Sequence, residues 1–145
     1  MSKKVDLLNQ LVADLSVAFV KFHNLHWNVK GERFKEVHEY AEELYDMLNE
    51  QYDEVAERVK MLGEFPPASQ KAYLERTKIK ELGDKDYSTQ ETYELLLEDL
   101  KYLRGLATDA RNEADEEGDF ATVAMLEDIV GQYCKEVWFV TQATK

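Results

Sequence analysis

The sequence predicts an all-α fold, a four-helix bundle of two helical hairpins with a short extra helix in the long crossover between helices two and three. Three observations lead there. Apolar residues recur at steps of three and four through four separate stretches, and no stretch shows the two-residue alternation of a strand. Gly31, Gly63 and Gly118 stand just beyond three of those stretches, where a helix stops. Between the second and third stretches, residues 63–87 carry Pro66-Pro67, Gly83 and mixed charge, enough chain to cross from one end of a bundle to the other.

The first helix is expected from about Ser2 to Val29, with Val5, Leu8, Val12, Leu15, Phe19, Phe22 and Leu25 on one side. The second is the clearest. Phe34, Val37, Ala41, Leu44, Leu48, Tyr52, Val55, Val59 and Leu62 follow one another without a break, and Gly63 is the C-cap candidate. A short helix fits in the crossover from Ser69. The third helix opens at Ser88, which forms a capping-box pair with Glu91, and carries Leu96, Leu100, Leu103 and Ala107. Asp119 can cap the fourth, which runs through Val123, Leu126, Val130, Tyr133, Val137 and Val140. Two hairpins joined by one long connection are the ferritin-like way of building a four-helix bundle.

The chain's 145 residues suit a single domain, residues 1–145, with a core that needs no staple. No apolar run approaches the ~20 residues that span a bilayer, and the start of the chain has no signal-peptide pattern. A cytoplasmic protein is expected. The single cysteine, Cys134, fits a reducing compartment and reads as a buried, inert thiol. A net charge of -12 argues against a phosphate-binding surface and for the attraction of cations.

The chemistry centres on the three histidines. Turned through 100° per residue, His38, Glu42, Asp53 and Glu57 fall at roughly 40°, 80°, 100° and 140° from Phe34, a second face beside the apolar stripe. His38 and Glu42 are one turn apart, as are Asp53 and Glu57, but the two pairs lie about 22 Å apart along the helix. One chain cannot close them on one ion. The two pairs are, however, symmetric about a point between Met47 and Leu48. Two antiparallel copies of this helix would bring His38 to the partner's Glu57 and Glu42 to the partner's Asp53, making two identical sites. His26 continues the inward line of Val5, Val12 and Phe19, so it is either a satisfied core residue or a ligand. His23, one turn earlier, is a further ligand, a support for the site or a water-capped side chain. Imidazole with carboxylates suits iron, zinc or manganese better than copper(I) or calcium.

On residues alone, a solvated acidic face is the commoner origin of such a helix, and a metal-free structural bundle stays open. His38-Glu39-Tyr40-Ala41-Glu42 lacks the second histidine of a zincin, and no Glu-x-x-His pair supplies a di-iron site within the bundle.

The run His23-Asn24-Leu25-His26-Trp27-Asn28-Val29-Lys30-Gly31, then Phe34, Val37-His38-Glu39 and Asp53-Glu54-Val55-Ala56-Glu57-Arg58, resembles the Dps family of miniferritins, the DNA-binding proteins from starved cells. The resemblance covers essentially the whole chain. It implies a hollow homo-dodecamer that oxidises ferrous iron, preferring hydrogen peroxide to oxygen, and stores ferric mineral inside. It also implies that His26, His38 and Glu42 form one half of each ferroxidase site and Asp53 and Glu57 of the partner the other. Trp27, next to His26, either lines the site and carries stray electrons or is an aromatic at a helix end packed on a neighbour. A non-catalytic cage that sequesters metal is the alternative.

The chain departs from the family pattern in three places. Glu42 stands where aspartate is usual, and Ala124 where the pore region commonly has a second aspartate. Asp115, Glu116, Asp119, Glu127 and Asp128 are the remaining pore candidates, with an exposed acidic helix end as the plainer reading. Ahead of the first helix there are only Lys3 and Lys4 where DNA-binding members carry a lysine-rich tail. Protection of DNA is therefore expected through removal of iron and peroxide, without direct DNA binding.

Overall fold

The computed structural model describes residues 2–145. Helix α1, Lys3–Asn28, starts where the Ser2 hydroxyl accepts from the Val5 amide. Helix α2, Phe34–Met61, is 28 residues long, about 42 Å. The crossover carries α3, Gln70–Arg76, capped by Ser69 as expected. Helix α4, Thr89–Glu116, opens on the full Ser88/Glu91 capping box, and α5, Phe120–Ala143, opens on Asp119, which accepts from the Thr122 amide. Gly63 and Gly118, directly after α2 and α4, have positive φ of 84° and 71°, a conformation glycine adopts without a Cβ penalty, whereas α1 ends on extended Val29 and Gly31, φ 112°, turns the chain two residues later.

Helices α1 and α2 pack as one hairpin and α4 and α5 as the other, joined mainly through α1 against α4, while α3 lies on α1. The core is the expected set of stripes, including Leu8, Leu15, Phe22, Leu44, Leu48, Leu96, Leu100, Leu126 and Tyr133. Burying each leucine contributes about 2 kcal/mol against the entropy of ordering it.

Polar groups also pin the bundle. Asp14 is fully buried and accepts from Gln10 Nε2, Thr77 Oγ1, the Lys78 amide and the Tyr102 hydroxyl, which ties the crossover to α1 and α4. Beside it Lys21 and Asp99 pair at 2.7 Å across the same interface. Burial pushes the Asp99 carboxyl up, with Lys21 pulling it back.

Three expectations need correction. A strand does exist. Val29–Lys30 (β1) pairs in parallel with Tyr87–Ser88 (β2), Val29 opposite Tyr87 and Lys30 opposite Ser88, and Lys30 pairs with Asp86 at 3.3 Å. Two residues are too short to show a period. Cys134 is exposed, because it follows Tyr133 and so turns about 100° off the buried stripe of α5. Phe34 is 43% exposed, since the first residue of α2 lies beyond the end of the packed stripe.

Candidate metal centre

The last turn of α1 and the first turns of α2 meet at the hairpin end, with residues 31–33 as the link. Arg33 is the one non-glycine residue with positive φ among the described residues, 63°. Such a conformation costs an L residue ~1 kcal/mol and turns the chain sharply enough to set His38 against His26.

The two imidazoles form a reciprocal clasp. His26 Nδ1 lies 2.6 Å from the His38 carbonyl, and His38 Nδ1 lies 2.6 Å from the His26 carbonyl. A carbonyl can only accept, so each Nδ1 carries a proton, and in the neutral ring the lone pair sits on Nε2. The rings stack at 3.7 Å and 13°. The His26 carbonyl belongs to the end of α1, where backbone acceptors lack helical partners, so the His38 bond also caps that end. His26 is 7% exposed and His38 half-buried. Tautomer and orientation of both rings are set before any ligand arrives, as metal-binding histidines require.

Glu42 Oε1 stands 3.9 Å from His26 Nε2, so its long arm reaches the clasp from the next turn of α2, and it is half exposed. Asp53 and Glu57 are exposed farther along the same helix, and the straight run of α2 keeps them from His26 and His38. Among the described residues no three His, Cys, Asp or Glu side chains converge into a metal site within the chain. Glu54 lies near Asp128 and Glu57, and partial burial, with those two charges adding to it, raises its carboxyl pKa.

Two aromatic neighbours escaped the sequence reading. Phe34 stacks on His38 at 5.2 Å, and Tyr45 meets His26 edge-on at 5.3 Å. His23 donates from Nδ1 to the Phe19 carbonyl at 2.8 Å and stacks on Tyr45 at 3.6 Å. Tyr45 lies one turn past Glu42, a spacing that could have flagged it. Trp27 meets His23 at 5.6 Å but is 66% exposed.

The pore candidates have varied partners. Asp119 accepts from Lys4 at 2.9 Å, Arg58 at 3.0 Å and the Thr122 hydroxyl at 2.6 Å, which binds the start of α1 and the end of α2 to the start of α5. Partial burial opposes its charge, but the bonds from Thr122 and Lys4 outweigh it and hold the carboxyl well below the usual range. Asp115 and Glu127 share Arg111 at 3.6 Å and 3.1 Å, and Asp128 accepts from Gln132. Glu116 is exposed at the end of α4.

Known proteins share this arrangement of helices. Residues 5–145 match the family model for the ferritin-like domain. A DNA protection during starvation protein of Helicobacter pylori is 34% identical over 138 residues, 95% of this chain and 96% of its own. The crystal structure of a Dps protein from Bacillus brevis superposes with TM-score 0.93 at 39% identity, covering 98% of this chain and 95% of that one. A Dps protein from Vibrio cholerae O1, described as a member of a broad superfamily of ferritin-like diiron-carboxylate proteins, gives TM-score 0.94 at 31% identity over 99% and 89% of the two chains.

Proposed function

The chain belongs to the Dps family of ferritin-like proteins, and from that premise we propose that it oxidises ferrous iron with hydrogen peroxide at sites shared between paired subunits. The observation that carries the reading is the clasp. Two tautomer-locked imidazoles stand beside Glu42, while among the described residues no three His, Cys, Asp or Glu side chains of one chain converge on a metal position. Asp53 and Glu57 supply the missing carboxylates when a second α2 packs antiparallel about the point between Met47 and Leu48. Their exposure on a lone chain fits an interface role.

Iron is the substrate here. Two ferrous ions give one electron each to peroxide, whose O–O bond breaks, and two protons complete two waters. Carboxylates and imidazoles together accept both iron valences, and zinc or manganese would compete for the same donors. The ferric product collects inside a dodecameric cage, and removing both iron and peroxide spares DNA and the cell. The whole takes place in the cytoplasm, on a chain with no helix long and apolar enough to cross a membrane among its described residues.

The test is iron oxidation followed separately with peroxide and with oxygen, on protein whose assembly mass is measured by light scattering. A large closed oligomer that consumes one peroxide per two ferrous ions supports the reading. A stable monomer at neutral pH removes the shared site, and iron binding without turnover leaves a sequestering cage.

A further inference from the structure

From Glu36 to Glu57 helix α2 carries nine carboxylates and neither a lysine nor an arginine. Five of them, Glu42, Asp46, Glu50, Asp53 and Glu57, fall at roughly 80° to 160° from Phe34, on the side that the two-fold pairing uses. All five are exposed. Among the described residues no lysine or arginine of the chain pairs with any of them, and only Glu42 has a basic neighbour, His26 at 3.9 Å. The lysines at the two ends of this face are turned elsewhere. Lys35 pairs with Glu39 at 3.9 Å, and Lys60 lies over the Phe65 ring at 3.7 Å.

Antiparallel pairing doubles this charge and takes it out of water. Glu42, Asp53 and Glu57 have a use there as ligands, but Asp46 and Glu50 have none. Asp46 lies one and a half residues, about 2 Å, from the symmetry point between Met47 and Leu48, so its two copies come within about 5 Å of each other along the helices. Glu50 stands one turn farther on. Like charges this close repel strongly once water is excluded. Closure needs positive charge, and each divalent ion held by the clasp and the partner's carboxylates brings two.

We propose that Asp46 and Glu50 make subunit pairing conditional on cation loading, an inference that rests on the shared site of the proposed function. Their uncompensated charge loosens metal-free pairs, and ions in the two sites offset it. Binding and pairing are then one linked equilibrium. With an ion at about 100 times its dissociation constant, and a lone chain that does not hold it, each site tightens the pair ~100-fold and the two together ~10⁴-fold. Pairs close, and the cage with them, when there is metal to take up.

Sedimentation velocity and light scattering across nanomolar to micromolar protein measure this without any iron turnover. Zinc sulfate is the probe, since zinc is redox-silent and suits the same donors. In EDTA at low salt the wild type is expected to break into smaller species on dilution, and zinc to tighten it ~100-fold or more. Raising potassium chloride in EDTA, from about 20 to about 500 mM, is expected to tighten it too, because screening weakens repulsion. The double variant Asp46→Asn, Glu50→Gln keeps every ligand. In EDTA it is expected to pair about tenfold more tightly than the wild type and to lose most of the salt effect. Equal dissociation of variant and wild type overturns the inference, as does a wild type that stays assembled in EDTA at nanomolar protein. If the variant does not fold, the salt series on the wild type decides, and loosening by salt overturns the inference. A wild type that remains monomeric at micromolar protein with zinc present overturns the shared site itself.

Discussion

Two damaged proteins should repair each other if the site is shared. One variant carries His26→Ala and His38→Ala, the other Asp53→Ala and Glu57→Ala. Every site in either homo-oligomer lacks two of its five ligands, so each alone should lose peroxide-driven iron oxidation. In a mixed two-fold pair one site gathers both damaged halves and the other both intact halves. With equal amounts and random pairing, half the pairs are mixed and half the sites in them are whole, so activity should return to about a quarter of wild type. The variants differ in folding cost. Asp53 and Glu57 are exposed, and their loss should leave the melting temperature nearly unchanged. Removing the clasp loses two hydrogen bonds and a buried imidazole, roughly 2–4 kcal/mol. The assay is absorbance of ferric product after co-refolding, with mixed oligomers verified by native mass spectrometry. If verified mixtures regain no activity at any ratio, the ligands do not meet across subunits.

Other consequences can be checked on single variants. Asp14→Ala strips four donors of their buried acceptor and should cost about 3–5 kcal/mol in denaturant unfolding, whereas a loss under ~1 kcal/mol would show the crossover is held by something else. Asp119 has a lowered folded-state pKa, so its contribution is full above the ordinary carboxylate value of about 4 and fades as pH falls below it. The stability gap between wild type and Asp119→Ala should therefore narrow in acid, and a gap independent of pH would contradict the charge-based account. With -12 per chain, the assembled protein should not retard duplex DNA at neutral pH and moderate salt, and a salt-sensitive mobility shift in metal-free buffer would contradict that.

The helices were legible because their signals are local. Ser69, Ser88 and Asp119 each cap the helix read from them, and Gly63 and Gly118, with positive φ, end α2 and α4. The symmetric placement of His38, Glu42, Asp53 and Glu57 is likewise a property of one helix. Rise and turn per residue set it before anything packs. Cys134 was misjudged although the same arithmetic, applied one residue past Tyr133, turns it outward.

What the sequence could not contain is the pairing of side chains from different helices. The Nδ1-to-carbonyl exchange between His26 and His38, the flat stack of His23 on Tyr45, and Phe34 over His38 depend on how far α1 and α2 slide and rotate against each other. The same holds for Asp14 gathering donors from α1, α4 and the crossover, and for Asp119 binding Lys4 and Arg58. Periodicity says which face of a helix turns inward. Only close packing, which interlocks side chains at full density, decides which atoms then come within hydrogen-bonding distance.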